Sequence, residues 1–379
     1  MKFKFIDNID EISPSQFEYL KDSNYPFLKY EFLSALEQSN SVCAETGWQV
    51  KHLTAWNNNQ LVGFMPLYLK THSYGEYVFD FQWANAYHQS GIEYYPKLLS
   101  AIPFTPCTGP RIILKSHSDN VISDLMFEKI IEEAERINVS SFHYLFPNKD
   151  TIPTLQRKKS DAKLMHRVGM QYHWFNQNYN NFDDFLNQCK AKSRKNIKRE
   201  RKSFIDSSIS IKCIEGAQID ESLWKQFYLF YCATYAKRSG NYGYLNESFF
   251  QIIGKSMPSS IVMAVAEVDN NPIAISLFFK DQDTLYGRYW GCKQEIEFLH
   301  FELCYYQGIK YCIRNNLKRF DAGAQGEHKI SRGFKPIKTE SYHWIKDKRF
   351  RDAISHFLDQ EKHLVEESVS QLSAKLPFK

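Results

Sequence analysis

Ile261-Val-Met-Ala-Val-Ala-Glu-Val268, Asp269-Asn-Asn271 and Pro272-Ile-Ala-Ile-Ser-Leu-Phe-Phe279 read as a strand, a tight polar turn and a returning strand. Branched and apolar residues fit the pleated, packed environment of a strand, and an Asp/Asn turn between two such runs is a hairpin signal. A second polar turn, Asp281-Gln-Asp283, leads into a third strand from Thr284 to Trp290. Toward the N-terminus the pattern recurs as His52-Leu-Thr-Ala-Trp56, Asn57-Asn-Asn-Gln60 and Leu61-Val-Gly-Phe-Met-Pro-Leu-Tyr-Leu69. The two copies lie about half a chain apart, too far for a solenoid repeat. They predict two similar α/β domains in tandem, each a mixed, mostly antiparallel sheet flanked by helices. The polar and basic stretch 147–163 marks the boundary, giving domains 1–165 and 166–379.

Helical periodicity flanks the hairpins. It predicts helices from Tyr30 to Gln38, Ser123 to Ile137, Phe182 to Ile205, Glu221 to Tyr235, Leu299 to Asn315 and Phe350 to Ser368. Asp183 and Asp184 suit the start of the third of these, where the helix dipole favours negative charge. Phe301, Cys304, Tyr305, Gly308 and Cys312 give the fifth one buried face.

The chain has 379 residues, room for two cores. Its hydrophobic content of 43% and charged content of 24% are those of a globular protein. A net charge of +5 is too mild to imply nucleic-acid binding by itself, and DNA is not an expected partner. Eight cysteines contain no CxxC pair, so neither a disulfide scaffold nor a zinc site is expected. The N-terminus shows no signal-peptide pattern, and no run of about 18 apolar residues occurs. These features predict a cytoplasmic protein without a transmembrane segment.

Three regions hold residues suited to chemistry. Between Lys190 and Lys202 eight of thirteen residues are basic, and only Glu200 opposes them. On a helix Arg194, Lys198 and Arg201 share a face, a candidate contact for the phosphates of a nucleotide-bearing donor, an RNA or an anionic lipid head group. The segment from Phe320 to Lys335 carries three glycines with Asp321, Glu327, His328 and Arg332. Glu327, His328 or Glu302 can take a proton from an attacking amine, and Arg332 can hold an anion. On the strand before it, alternation sends Tyr286, Arg288 and Trp290 to one face and Tyr289 to the other. Tyr289 is then the candidate acid for a leaving group, with Arg288 and Trp290 as binding residues. In the first half the candidate binding residues are Tyr74, Asp80 and Trp83, followed by Arg111 in a proline-rich loop. The spacing of His300, Glu302, Glu327 and His328 is not a known ligand pattern, so no metal is expected. Dinucleotide, P-loop, nucleophile-elbow and zincin motifs are absent.

Taken together, these segments resemble the FemAB-like family, of peptidoglycan biosynthesis/recognition type, within the GNAT (acyl-CoA N-acyltransferase) fold group. The resemblance rests on Gly47-Trp48-Gln49, Pro66 to Lys70, Ser73 to Asp80, Tyr94 to Leu98, Pro103 to Pro106, Thr108 to Arg111, His173-Trp174, Ser193 to Arg201, Leu285 to Gly291, His300 to Glu302 and Asp321 to Phe334. It spans roughly residues 25 to 360. It implies tandem GNAT-like domains and amide-bond formation: transfer of an acyl or aminoacyl group from an activated donor, acyl-CoA or similar, to an amine acceptor. Two alternatives stay open. One is an aminoacyl-tRNA-dependent Fem-type transferase acting on peptidoglycan-like precursors, with the basic helix on the tRNA. The other is a non-catalytic binder of a muropeptide or related amine.

Overall fold

A computed structural model describes residues 1–20, 24–115, 120–153, 155–156, 163–205 and 207–379. Part of the boundary stretch, residues 154 and 157–162, lies outside them. The chain forms two compact units: residues 1–169 with 338–367, and residues 170–337 with 368–379. The division falls inside the strands Met165–Phe175 and Lys335–Ile345, each of which passes from one unit into the other. The division expected at 165/166 placed 338–367 with the second domain; in the structure this segment packs with the first.

Both hairpins form as their turns dictate. Asn58 and Asn59 join His52–Asn57 to Gln60–Met65, and Asp269 and Asn270 join Ile261–Val268 to Asn271–Lys280. All four turn residues have positive φ, from 47° to 63°. Asn and Asp are the non-glycine residues that tolerate this left-handed backbone, and a two-residue turn of this kind matches the twist of the strands it joins.

In the first unit one antiparallel sheet runs in the order Lys2–Ile6, His52–Asn57, Gln60–Met65, Ile113–Leu114. A second set runs Trp48–Val50, Tyr68–Lys70, Lys97–Ser100, Ser141–Leu145 and residues 341–345. All its pairs are antiparallel except Lys97–Ser100 with Ser141–Leu145, which is parallel over three residue pairs, Leu98↔Phe142 to Ser100↔Tyr144. The helix Asn120–Arg136 packs Met126, Phe127 and Ile130 against Leu53, Leu98, Phe142 and Tyr144.

The second unit orders its strands Ser210–Glu215, Ile261–Val268, Asn271–Lys280, Thr284–Cys292, Arg319–Asp321 and residues 173–175. Again one pair is parallel, Thr284–Cys292 with Arg319–Asp321. The helices Glu221–Ser239 and Glu247–Ser256 begin at Asp220 and Asn246, whose side chains accept from backbone N–H groups of the first turn, and the first ends at Gly240 in the left-handed region.

Two expected helices take different forms. The stretch from Phe182 to Ile205 divides into Phe182–Gln188 and Ala191–Ile205. At the break Cys189 is extended and bridges to Phe378, while Lys190 N–H donates to the Pro377 carbonyl. Residues 299–314 are helical throughout, but Glu302–Tyr306 forms a π-turn.

Candidate functional site

In the second unit the decisive geometry is a strand that loses a neighbour. Thr284, Leu285 and Tyr286 pair with Arg319, Phe320 and Asp321, and the pairing then stops. Residues 287–292 keep their antiparallel partner Asn271–Lys280. Their opposite edge has no strand partner among the described residues. The register shift between Leu277 and Phe278 sets Tyr289 opposite Leu277 and Gly287 opposite Phe278, leaving Arg288 as the extra residue of a bulge. An edge of this kind presents backbone N–H groups that a substrate carbonyl can use.

Aromatic and basic side chains gather beside that edge. The Trp290 and His300 ring centroids are 5.3 Å apart, and His300 lies 5.3 Å from Tyr305. His328 Nε2 is 2.9 Å from the Tyr305 hydroxyl. Gly326 permits this placement: its φ is 109°, and a Cβ there would fall 2.5 Å from the His328 ring. Lys329 is 3% exposed and donates to the carbonyls of Ala322 and Gly323, each at 2.8 Å. Asp321 accepts from Gly323 N–H at 3.0 Å and lies 3.5 Å from His173 Nε2.

The electrostatics follow from burial and from the excess of cations. Burial, then Arg238, His328, Lys329 and Arg332, pushes His300 down to about 3, so its ring is neutral. His328 is also lowered, by partial burial and then by Arg332 and Lys329, which leaves a neutral nitrogen base beside a phenol. Burial raises Tyr305 and keeps that phenol protonated. Burial lowers Lys329 to about 8, although Asp321 opposes the shift. Burial alone would raise Asp321, but His173, the Gly323 N–H, Arg319 and Arg288 outweigh it and hold the carboxylate ionised.

Not every candidate joins this group. Glu302 is buried in the π-turn and accepts from Arg201 at 3.2 and 3.4 Å and from Gln307 at 2.7 Å. Arg332 donates to Glu200 at 2.8 and 3.2 Å, and its guanidinium lies 3.5 Å from the Phe301 ring centroid. These two ion pairs fasten the helix Ala191–Ile205, so Glu302 and Arg332 are already engaged. Tyr289 faces the helices Glu221–Ser239 and Glu247–Ser256, with its ring 5.6 Å from Tyr231 and 5.9 Å from Phe250. Glu327 is exposed in the short helix Glu327–Arg332 and has no hydrogen-bond or ion-pair partner among the described residues. Arg201 points inward, 4.2 Å from the Phe182 ring centroid, while Lys198 is exposed and Arg194 half-exposed.

The first-unit candidates border a cluster that sequence reasoning missed. Lys97 is fully buried and donates to Asp80 at 2.5 Å, Glu76 at 2.8 Å and Ser73 at 2.7 Å. The Tyr94 hydroxyl donates to Asp80 at 2.6 Å and lies 3.2 Å from His143 Nε2. His143 and His343 meet Nδ1 to Nδ1 at 2.6 Å, so one ring donates and the other accepts. Their Nε2 atoms face Ser141 and Ser341, both at 2.8 Å. Burial lowers both rings, His143 to about 3, and keeps them neutral. Burial raises Glu76 to about 7 against the pull of Lys97, whereas Lys97 and His143 outweigh burial at Asp80 and depress it. Trp83 packs 5.0 Å from His343, while Tyr74 is 58% exposed beside Phe81. Arg111 is buried and donates to the carbonyls of Pro110 and Cys107, which fixes its own loop. The repeated Ser141-Phe-His143 and Ser341-Tyr-His343 was the available signal.

Glu295 and Glu297 precede the helix that begins at Leu299, and Glu295 pairs with Lys237 at 2.6 Å. Among the described residues no group of three or more His, Cys, Asp or Glu is placed to hold a metal ion. No helix among them is long and apolar enough to cross a membrane.

Two α/β units, each with a short parallel pair in a largely antiparallel sheet, define a tandem GNAT-like fold. The chain belongs to the FemAB-like family, described as peptidoglycan biosynthesis/recognition, whose model matches residues 8–379. Its fold is similar to that of FemX, with a TM-score of 0.54 at 11% identity, covering 94% of this chain and 100% of that one. It is also similar to a conserved protein of unknown function from Bacteroides thetaiotaomicron, with a TM-score of 0.51 at 10% identity over 91% and 100% of the two chains. The C-terminal domain of a putative lysylphosphatidylglycerol synthetase from Agrobacterium fabrum gives a TM-score of 0.51 at 9% identity over 93% and 98%. No curated protein matches the sequence.

Proposed function

We propose that the protein is a transferase that forms an amide, moving an acyl or aminoacyl group from an ester or thioester donor to an amine on a peptidoglycan precursor. The observation that carries this reading is the open edge of residues 287–292 next to the His328–Tyr305 pair. The donor carbonyl lies against that edge, where backbone N–H groups stabilise the oxyanion. The amine nitrogen attacks the carbonyl carbon, a C–N bond forms, and the C–O or C–S bond breaks. Neutral His328 takes the proton released by the amine, and the Tyr305 phenol gives one to the leaving group. Arg288 and Lys329 add positive potential where negative charge develops. The acceptor class comes from the family's description.

The test is to incubate the protein with an amine-bearing peptidoglycan precursor and a panel of aminoacyl-tRNA and acyl-CoA donors, and to detect amide products by mass spectrometry. His328→Gln is expected to lower turnover about 10²–10⁴-fold with an unchanged thermal midpoint. Wild-type turnover in both His328→Gln and Tyr305→Phe removes this pair from the mechanism, and no amide from any pairing removes the reaction.

A tRNA-borne donor is favoured by one feature. Lys192, Lys195, Lys198, Arg199 and Lys202 are exposed on the helix Ala191–Ile205 with no ion-pair partner among the described residues. Phosphate contacts there would make binding steeply salt-dependent. Arg194→Gln with Lys198→Gln then flattens the slope of log K against log salt; an unchanged slope removes the helix from the donor site.

A further inference from the structure

Residues 175–188 read Phe175-Asn-Gln-Asn-Tyr-Asn-Asn-Phe-Asp-Asp-Phe-Leu-Asn-Gln188, with seven carboxamides among fourteen residues. Three of the seven are used by the fold. Asn176 donates to the Leu317 carbonyl at 3.1 Å and accepts from Tyr179 N–H at 3.1 Å. Asn181 caps the helix Phe182–Gln188 by accepting from Asp184 N–H at 2.9 Å. Asn180 donates to the Asp184 carboxylate at 3.1 Å. The other four, Gln177, Asn178, Asn187 and Gln188, make no side-chain hydrogen bond among the described residues. All four line one groove of about 670 Å³, within the range of small-molecule sites (roughly 300–1,000 Å³).

The rest of the wall narrows the ligand class. Tyr179 is buried against Trp174 and Phe185, and the half-buried Phe378, its ring 6.3 Å from Phe185, supplies the accessible ring. The groove has one carboxylate, Asp184, and one ammonium, Lys335, so it has no excess charge to select an ion. Each carboxamide places a donor and an acceptor in one plane, a match for neighbouring hydroxyls or for an acetamido group. An aromatic ring such as that of Phe378 matches the C–H face of a pyranose. We propose that this groove binds a neutral glycan, such as a chain of N-acetylated sugars, at a place separate from the open strand edge. The fold spends Asn176, Asn180 and Asn181 on its own hydrogen bonds and leaves to the groove the amides it does not need.

The test is direct binding to the full chain, with chitotetraose and cellotetraose as probes, followed in side-chain amide NMR spectra. Saturable shifts of the Gln177, Asn178, Asn187 and Gln188 amide groups are expected. Gln177→Ala with Asn187→Ala is expected to weaken binding at least about tenfold, a change of about 1.4 kcal/mol, with no loss of thermal midpoint because neither amide holds the fold. Phe378→Leu provides a second variant, which removes a ring face and spares the amides. Preference for chitotetraose supports acetamido recognition, and equal binding of both probes supports the glycan class. Absence of saturable shifts with either probe, or unchanged affinity in the double variant, overturns the proposal. Because the readout is binding, its failure leaves the acyl-transfer reading untouched.

Discussion

The two units build the same local arrangement and use it in opposite ways. In each, a strand pairs in parallel over three residue pairs, and its partner pairs antiparallel with a strand that carries a histidine. His343 lies opposite His143 in the first unit, and His173 lies opposite Asp321 in the second. In the first, Lys97 is sealed between two carboxylates and a serine, with the histidine pair beyond Tyr94. In the second, Lys329 meets only carbonyl oxygens, and the neighbouring edge stays open. A buried lysine enclosed by carboxylates is satisfied and has nothing left for a substrate. A lysine held by carbonyl groups keeps its charge uncompensated by a contacting anion, and that charge acts on whatever enters beside it. Duplicated architecture thus separates into a fixed half and an available half through the partners given to one ammonium.

Three experiments break or sharpen this contrast. The largest effect is expected from Lys97→Met, which leaves Asp80 and Glu76 buried without their cation. Urea unfolding should show a loss of about 3–5 kcal/mol. A variant as stable as wild type would mean that the cluster does not hold the first unit. Next is the histidine pair. Both rings have folded-state pKa values below the ordinary 6.5, so their contribution is present above 6.5 and is lost as pH falls toward 3. Glu76, raised to about 7, works the other way, gaining stability as pH falls through 7. Comparing wild type with His143→Gln/His343→Gln between pH 6.5 and 4.5 cancels Glu76. Wild type should lose stability faster, by up to about 1.4 kcal/mol per pH unit for each histidine protonated only on unfolding. Parallel pH profiles would show that the pair does not titrate on unfolding. The smallest effect belongs to the Arg201–Glu302 pair of the second unit. Glu302→Gln should cost about 1–3 kcal/mol in denaturant unfolding while amide formation persists. Loss of activity at unchanged stability would return Glu302 to the list of bases.

What was legible in the sequence was local. The hairpins could be read because Asn58, Asn59, Asp269 and Asn270 both end the strands and accept the left-handed turn. The helix Tyr30–Gln38 could be read from its periodicity. The break at Cys189 could not, because no glycine or proline marks it; its cause is pairing with Pro377 and Phe378, far along the chain. The same applies to charge. Glu302 looked free until Arg201 was placed on it, a hundred and one residues away. His143 and His343 are two hundred residues apart, so their repeated Ser-x-His pattern had no visible purpose until the strands met. Candidate residues are easy to list by type, but which of them remain unspent depends on distant partners.

The passage of residues 338–367 back into the first unit has a consequence for synthesis. When the ribosome has completed residue 169, the nascent chain still lacks the strand that covers Ser141–Leu145 and the histidine that partners His143. That edge stays uncovered until residues 341–345 have emerged. The first unit therefore closes only after residues 170–337 of the second have been made, and chains released before then leave a strand available to strangers.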